Sequence, residues 1–329
     1  MRDLNFAIKQ LCLSNQDGSF STQASRLRSL DLIATQLEDL GFRHLSVGGL
    51  KPKHIDALLK LWLSTSISTA TIKNRLAHLR WWASKINKPG LVPNSNAKLN
   101  IPSRSYVSNT SKAVDLPPQS LDLISDPFVK LSLLLQLAFG LRREEAIKFQ
   151  PSFADKGNSI ILKHSWCKGG QQREIPITNQ QQRLVLDQCH SLVASGSLIA
   201  PGRSYIQHLK VYESQTRRAG LHNLHGLRHK YAQDRFLQLT GSPSTAALNS
   251  LPNNLTNPIA NTHTLKSNTS NNNVVTPNTS NSSSNSSNIS SKLPPEQKNL
   301  HKQARLTISK ELGHHRLQVT SVYLGTPLK

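Results

Sequence analysis

Apolar residues recur at intervals of three and four along the first 95 residues, the spacing that places them on one face of an α-helix. This pattern predicts helices over residues 25–40, 53–63 and 71–86. Gly41 directly follows the first of these segments and is typical of a residue that ends a helix. We therefore predict that residues 1–95 form a helical domain.

The pattern changes further along the chain. Residues 87–116 are rich in Pro, Asn, Ser and Lys, and we place an interdomain linker at 96–116. A second domain is predicted over 117–329, with an apolar helix at 129–139. It continues with two short β segments that flank Gly169-Gly170 as in a hairpin, and with further helical patterns; these lie at 160–162 and 174–177, and at about 180–194, 204–219, 225–239, 301–312 and 316–325. The predicted fold class is mainly α with a small β-sheet (α+β).

Residues 242–298 interrupt the second domain with a segment dominated by Asn, Ser and Thr that has very little charge. Such a composition buries too little apolar surface to offset the entropy that is lost on ordering. We predict a disordered insertion here, with order resuming near Pro295.

The charge balance narrows the choice of partner. Lys and Arg number 40 against 18 Asp and Glu, a formal net charge of +22. Nucleic acid is the first candidate, because basic side chains gain affinity by displacing counterions from phosphates. An anionic membrane surface is the competitor, but no apolar run is long enough to span a bilayer. With no signal-peptide pattern and no CxxC pair, we expect a cytoplasmic protein without disulfides.

Basic residues lie between the apolar positions of the third helix and in the linker. They are either a solvated helix face or contacts to the DNA backbone. The predicted DNA-binding residues are Lys73, Arg75, Arg80, Lys85 and Arg104.

Five short motifs in the last two-thirds of the chain supply the groups needed to break a phosphodiester. They are GLRREE at 140–145, KGG at 168–170, HGLRH at 225–229, LGH at 312–314 and Tyr323. Arginines can hold a phosphate, a tyrosine hydroxyl can attack phosphorus, and histidine and lysine can move protons. No metal or other cofactor is expected. A zinc site at His222, His225 and His229 is disfavoured because no Cys or carboxylate completes it.

The order and wording of these motifs resemble the tyrosine recombinases, also called the phage integrase family. The resemblance covers about residues 20–241 and 300–325, and implies a SAM-like helical core-binding domain followed by an integrase-type catalytic domain, together forming a clamp around DNA. It implies that Tyr323 is the nucleophile and that Lys168 protonates the departing 5′ oxygen. The implied catalytic set is Arg142, Lys168, His225, Arg228, His314 and Tyr323.

The other implied roles follow the same motifs. Arg142 and Arg228 would hold the scissile phosphate, and His314 would hydrogen-bond an oxygen of the transition state. His225 would accept the tyrosine proton or orient the phosphate. Each motif alone also has a structural alternative: Arg142 could pair with Glu144 or Glu145, Lys168 could be an exposed turn residue, and Tyr323 could anchor a helix.

Two features depart from the family pattern. Arg228 and His314 are 86 residues apart, more than the family usually has, and the Asn/Ser/Thr-rich segment accounts for the excess. Loop entropy grows slowly with length, so the site can still assemble. Only six residues follow Tyr323, whereas many relatives carry a further helix that docks on a neighbouring subunit.

The predicted function is site-specific DNA recombination, for integration or excision of a mobile element. The expected partners are double-stranded DNA attachment sites, other copies of the chain in a dimer or tetramer, and an accessory DNA-bending or directionality factor. No membrane partner is expected. Two alternatives remain open: a type IB topoisomerase-like enzyme, and an inactive relative that only binds DNA.

Overall fold

The computed structural model describes residues 3–103, 106–250, 293–314 and 316–327. The chain divides into two compact units, Met1–Ser105 and Tyr106–Lys329. The boundary lies inside the predicted linker, but the ends of that linker belong to the units themselves. Ile101 is buried in the core of the first unit, whereas the backbone N–H of Val114 donates to Gly226 O at 3.1 Å in the second.

The first unit is built from helices. Its α-helices are α1 (Asp3–Ser14), α2 (Phe20–Asp39), α3 (Pro52–Ser64) and α4 (Thr69–Lys85). The three predicted helices are confirmed, and α2 starts earlier than predicted because the hydroxyl of Ser19 accepts from Thr22 N at 3.3 Å and caps it. Trp62 and Trp82 are buried in the core, and their indole N–H groups donate to Gln36 Oε1 and to a backbone carbonyl, both at 2.9 Å.

The second unit combines helices with one hairpin. Its elements are α5 (Pro118–Asp122), α6 (Pro127–Phe139), α7 (Arg143–Ile147), α8 (Pro151–Ala154), β1 (Ser159–Leu162), β2 (Arg173–Pro176), α9 (Gln180–Leu192), α10 (Tyr205–Arg218), α11 (Gly226–Thr240), α12 (Thr245–Leu248), α13 (Pro295–Glu311) and α14 (Leu317–Leu324). The strands pair antiparallel with Ile160 opposite Ile175, so the predicted hairpin is confirmed. The observed class is mainly helical with a small two-stranded sheet.

Helix α6 is the centre of the second unit. It packs against α7, α9 and α11, while α13 and α14 pack against α11 and against each other. Helix α11, which precedes the predicted insertion, therefore packs against α13 and α14, which follow it in the chain. Among the residues described, no helix has the length and apolar character needed to cross a membrane.

The segment 242–298, predicted as a disordered insertion, contains helical residues at both of its ends. Helix α12 lies inside it, because Ser244 caps that helix through Ala247 N and Ala246 is buried. Helix α13 begins at Pro295, which agrees with the residue where order was predicted to resume. Residues 251–292 lie outside the described residues.

The turn after α6 requires glycine, and we expect Gly140→Ala to lower the free energy of unfolding by about 3 kcal/mol. Gly140 has φ +60°, and an added Cβ would lie 2.5 Å from Tyr231 Cδ1. Gly241 ends α11 with φ +68° but has nothing within 4 Å of an added Cβ. Gly241→Ala is therefore the matched control and should cost about 1 kcal/mol. Equal losses for both variants in urea denaturation would contradict the steric argument.

Candidate active site

Tyr323 lies on α14 and is only 4% exposed. Its hydroxyl oxygen is 3.2 Å from Arg228 Nε and 3.2 Å from His314 Nε2. Its backbone carbonyl accepts a hydrogen bond from Gln233 Nε2 at 3.1 Å, which ties α14 to α11. The structure thus brings three of the predicted catalytic residues, from three segments of the chain, into direct contact.

Arg228 is almost completely buried on α11, at 1% exposure. Its Nη1 donates to Gly140 O and its Nη2 to Leu312 O, with His314 Nε2 3.4 Å from Nη2. Desolvation lowers the pKa of Arg228 to about 10, so the guanidinium remains charged at neutral pH. One cation therefore joins α11 to the ends of α6 and α13 while it also contacts the tyrosine.

Arg142 stands at the N-terminus of α7, where Glu145 sets its position. The backbone N of Arg142 donates to Glu145 Oε2 at 2.7 Å, and its Nη1 donates to Glu145 Oε1 at 2.7 Å. The pairing with Glu145, which the sequence offered as a structural alternative, is therefore present. Nη2 of Arg142 lies 3.4 Å from Leu312 O, which also accepts from Arg228, so the two predicted phosphate-binding arginines share one carbonyl.

Glu145 is fully buried and binds a second arginine, Arg173, which the sequence prediction missed. Arg173 donates to both carboxylate oxygens, at 2.9 and 2.6 Å. Burial alone would raise the pKa of Glu145, but the hydrogen bonds and charge of Arg173, followed by Arg142, outweigh it and lower this pKa to about 2. The alternation of side chains along β2 could have indicated this arginine, because it places Arg173 on the same buried face as Ile175. A charge at such a position requires a buried partner.

Two histidines of the site, His314 and His225, differ in their burial and in their contact with Tyr323. Desolvation, followed by the charges of Arg228 and Arg142, lowers the pKa of His314 to about 4, so its imidazole is neutral at pH 7. Since a guanidinium only donates, the contact from Arg228 makes Nε2 of His314 the acceptor. His225 is exposed, its ring centroid lies 6.1 Å from that of Tyr323, and desolvation lowers its pKa. Of these two histidines, His314 is the one that hydrogen-bonds the tyrosine hydroxyl.

His229 also packs against Tyr323, with ring centroids 4.7 Å apart. It is buried, and desolvation together with neighbouring cations lowers its pKa to about 4. Across the described ranges, no three His, Cys, Asp or Glu side chains are grouped so as to hold a metal ion. His229 thus packs against the nucleophile candidate as a neutral ring.

Lys168 lies at the turn of the hairpin, as predicted, and is exposed. Gly169 and Gly170 adopt φ values of +73° and +69°, which suit glycine in this turn. The preceding Cys167 has its Sγ 3.4 Å from Arg173 Nη1, so the base of the turn contacts the arginine network. Within the described part of the chain, no hydrogen bond or ion pair includes Lys168 itself.

An open polar cavity of about 600 Å³ adjoins the site. His225 lines it together with Arg143, Glu213, Arg217 and His222. Arg143 and Glu213 form an ion pair of 2.9 Å across it, and both side chains are about half exposed. The cavity is therefore a water-accessible polar recess, lined by two arginines and one carboxylate, that opens beside a predicted catalytic histidine.

Three of the basic residues predicted to bind DNA, Arg75, Arg80 and Lys85, have partners within the first unit. Arg80 donates to Pro93 O and Asn96 Oδ1, and Lys85 forms a 2.9 Å ion pair with Asp17. The guanidinium of Arg75 lies 5.3 Å from the ring centroid of Trp62, and Lys73 is partly buried. Arg104 lies outside the described residues. Their contact with DNA stays a prediction, and for Arg80 and Lys85 it would compete with these bonds.

The Glu145 network predicts a pH-dependent stability. A pKa lowered from 4.5 to about 2 corresponds to about 3 kcal/mol at neutral pH, since one pKa unit is about 1.4 kcal/mol. Because the folded-state pKa is depressed, this contribution is complete above pH 4.5 and is lost as pH falls toward 2. Glu145→Gln should therefore be strongly destabilised at pH 7, and its deficit against the wild type should shrink between pH 5 and 3.

The measurement is urea denaturation at several pH values. Glu213→Gln is the control, because Glu213 pairs with Arg143 on the surface, where such a pair contributes about 0–1 kcal/mol. A Glu145→Gln deficit that did not change with pH would contradict the depressed pKa.

Two family models match this chain. The family model "Phage integrase, N-terminal" matches residues 1–88, and the model "Integrase" matches residues 104–234. No curated protein sequence matches the chain.

Several solved structures share the fold. XerH site-specific recombinase bound to palindromic difH substrate is 15% identical, with 98% of this chain and 81% of that chain covered and a TM-score of 0.53. A variant of the Tn1549 transposon integrase with a circular intermediate DNA is 10% identical, covering 99% and 96%, with a TM-score of 0.52. A lambda integrase dimer bound to a COC' core site is 15% identical, covering 72% and 71%, with a TM-score of 0.50. At these identities the likeness is one of fold.

Proposed function

Since the chain belongs to the phage integrase family of tyrosine recombinases, we propose that it is a site-specific DNA recombinase that cuts and rejoins DNA through a 3′-phosphotyrosyl bond to Tyr323. One observation carries the proposal: the hydroxyl of Tyr323 lies 3.2 Å from both Arg228 Nε and His314 Nε2. Arg228 and Tyr323 are 95 residues apart in sequence, so local structure alone does not account for this contact.

The proposed cleavage step forms a bond between the oxygen of Tyr323 and phosphorus and breaks the bond from phosphorus to the 5′ oxygen. The tyrosine proton passes to Nε2 of His314, which is neutral at pH 7 and accepts. Lys168 gives a proton to the departing 5′ oxygen. One phosphodiester replaces another, so attack by a 5′ hydroxyl on the phosphotyrosine can rejoin a strand without ATP.

Arg142 and Arg228 are proposed to bind the oxygens of the scissile phosphate, which gain charge in the transition state. The Nη2 of Arg142 can turn to a phosphate more readily than the nitrogens of Arg228, because it makes only a long 3.4 Å contact with Leu312 O. His225 is proposed to orient the phosphate, since its ring makes no hydrogen bond to Tyr323 among the described residues. The polar recess beside His225, where Arg217 is one of the lining residues, offers a place for the adjoining DNA backbone.

The proposed partners are duplex attachment sites and further copies of the chain in a dimer or tetramer. The lambda integrase and XerH structures were determined with DNA, and lambda integrase forms both a dimer and a tetramer. We extend this to the chain as a proposal, together with a mobile-element role, an accessory DNA-bending or directionality factor, and a cytoplasmic, nucleoid-associated location.

Covalent trapping tests the function. The full chain is incubated with nicked duplexes tiled from the DNA that flanks its gene, with a metal chelator present, and separated on a denaturing gel. The expected result is a protein–DNA adduct on a few fragments. Peptide mapping should then show that the DNA is attached to Tyr323. Binding without an adduct on any fragment would instead indicate an inactive DNA-binding relative. Relaxation of supercoiled DNA without strand exchange between two sites would indicate a type IB topoisomerase-like enzyme.

A further inference from the structure

Arg173 occupies a position that the proposed mechanism does not use. Its guanidinium is buried and donates to four groups: both oxygens of Glu145, the backbone oxygen of Glu311 at 2.8 Å, and Cys167 Sγ at 3.4 Å. Its stem also packs on the turn before His314, since a Cβ added at Gly313 would lie 3.0 Å from Arg173 Cδ. This one side chain therefore contacts the supports of Arg142, His314 and Lys168.

The charges in this cluster are unequal. Glu145 is one carboxylate shared between two arginines: Arg173, whose side chain is 5% exposed, and Arg142, whose side chain is 24% exposed. With both arginines present the trio keeps a net positive charge, and the bidentate bond to Arg173 holds the carboxylate in one orientation. Without Arg173, Arg142 would be the remaining cation on Glu145 and the pair would be neutral. An anionic phosphate would then meet a guanidinium already neutralised by its neighbour.

From this geometry we infer that Arg173 is a positioning residue for cleavage, which lets Glu145 fix the guanidinium of Arg142 without cancelling its charge toward the scissile phosphate. The inference rests on the proposed function, because it gives Arg142 a phosphate to bind. It assigns to Arg173 no contact with DNA.

A matched comparison separates this role from simple stability. Arg235 is also a largely buried arginine bound to a glutamate, with its Nη2 3.0 Å from Glu311 Oε1. Both ion pairs support the helices that flank the site, but Glu311 holds neither Arg142 nor Arg228 through its carboxylate. Arg235→Gln therefore controls for the loss of a buried ion pair, and Arg173→Lys keeps a charge beside Glu145 but loses the bidentate bond that orients the carboxylate.

The experiment measures single-turnover cleavage of a nicked duplex that traps the wild type, together with DNA affinity and thermal unfolding. A second duplex carries sulfur in place of the bridging 5′ oxygen, because a thiolate departs without a proton from a general acid. Lys168→Ala should cleave the oxygen duplex slowly and the sulfur duplex at nearly the wild-type rate.

We expect Arg173→Gln to cleave about a hundredfold more slowly than the wild type on both duplexes, with DNA affinity within about threefold. Arg173→Lys should cleave about tenfold more slowly than the wild type, and the cleavage rate of Arg235→Gln should fall by less than threefold. Arg173→Gln leaves Glu145 with one arginine partner, so its cleavage rate is compared with that of the wild type only if thermal unfolding shows that the variant is folded. If it is not folded, Arg173→Lys decides. A wild-type cleavage rate for Arg173→Lys would overturn the inference.

Two further results would overturn it. Folded Arg173→Gln that cleaves within threefold of the wild type would leave Arg173 a purely structural role. A defect restored by the sulfur duplex would mean that Arg173 acts through Lys168 and not through Arg142. A wild type that cleaves no duplex would overturn the proposed function first, and the inference with it.

Discussion

Tyr323→Phe is expected to abolish the covalent protein–DNA adduct while DNA affinity stays within about twofold of the wild type. The substitution removes a single oxygen, which is the atom proposed to bond to phosphorus. Arg228 Nε and His314 Nε2 each lose one hydrogen-bond partner, so the free energy of unfolding should fall by only about 1 kcal/mol. The variant therefore remains folded and able to bind, which makes the missing adduct a chemical result.

Tyr212→Phe is the control for this prediction. Tyr212 is also buried, and its hydroxyl accepts from Gln136 Nε2 at 2.9 Å. Desolvation raises the pKa of Tyr212 to about 12, which makes it a poor nucleophile near neutral pH. Its adduct yield should match that of the wild type on a denaturing gel. An adduct that survives in Tyr323→Phe would place the nucleophile elsewhere and refute the proposed assignment.

Arg228→Gln is expected to slow cleavage by about a hundredfold to a thousandfold, because a buried donor aimed at developing charge is worth about 2.7–4 kcal/mol in the transition state. The same change should lower the free energy of unfolding by about 3 kcal/mol, since the carbonyl oxygens of Gly140 and Leu312 lose a charged donor. Arg228→Lys should recover part of the stability but little of the rate, because an ammonium cannot reproduce the planar fork of donors.

Arg235 provides the control on the same helix. It follows Arg228 by seven residues, two turns of α11, so the two side chains lie on one face. Arg235→Gln should show a comparable loss of stability by urea denaturation with cleavage kept within about threefold. If both variants cleaved equally slowly, the effect of Arg228 would come from packing of α11 and not from contact with the phosphate.

The local patterns predicted much of the fold. The helices of the first unit and the hairpin match their predicted segments, because amphipathic spacing, serine caps and turn glycines act between residues that are neighbours in sequence. The motif order also placed Arg228, His314 and Tyr323 among the candidates that meet. The prediction missed α12, which lies inside the segment predicted to be disordered. This helix depends on one serine cap and one buried alanine, and the biased composition around it hides both signals.

The class of the protein, the elements it forms and the chemical groups it carries follow from the sequence, because composition, periodicity and motif order can be read along the chain without knowing which residues meet in space. Only the tertiary structure decided which groups meet. Arg142 and Arg228 converge on Leu312 O from 170 and 84 residues away, and Arg173 reaches Glu145 across 28. The arginines that meet at Glu145 lower its pKa against the effect of burial, whereas burial lowers the pKa of His314 and leaves its imidazole neutral at pH 7. Such long-range contacts depend on how the helices pack, which no local pattern records.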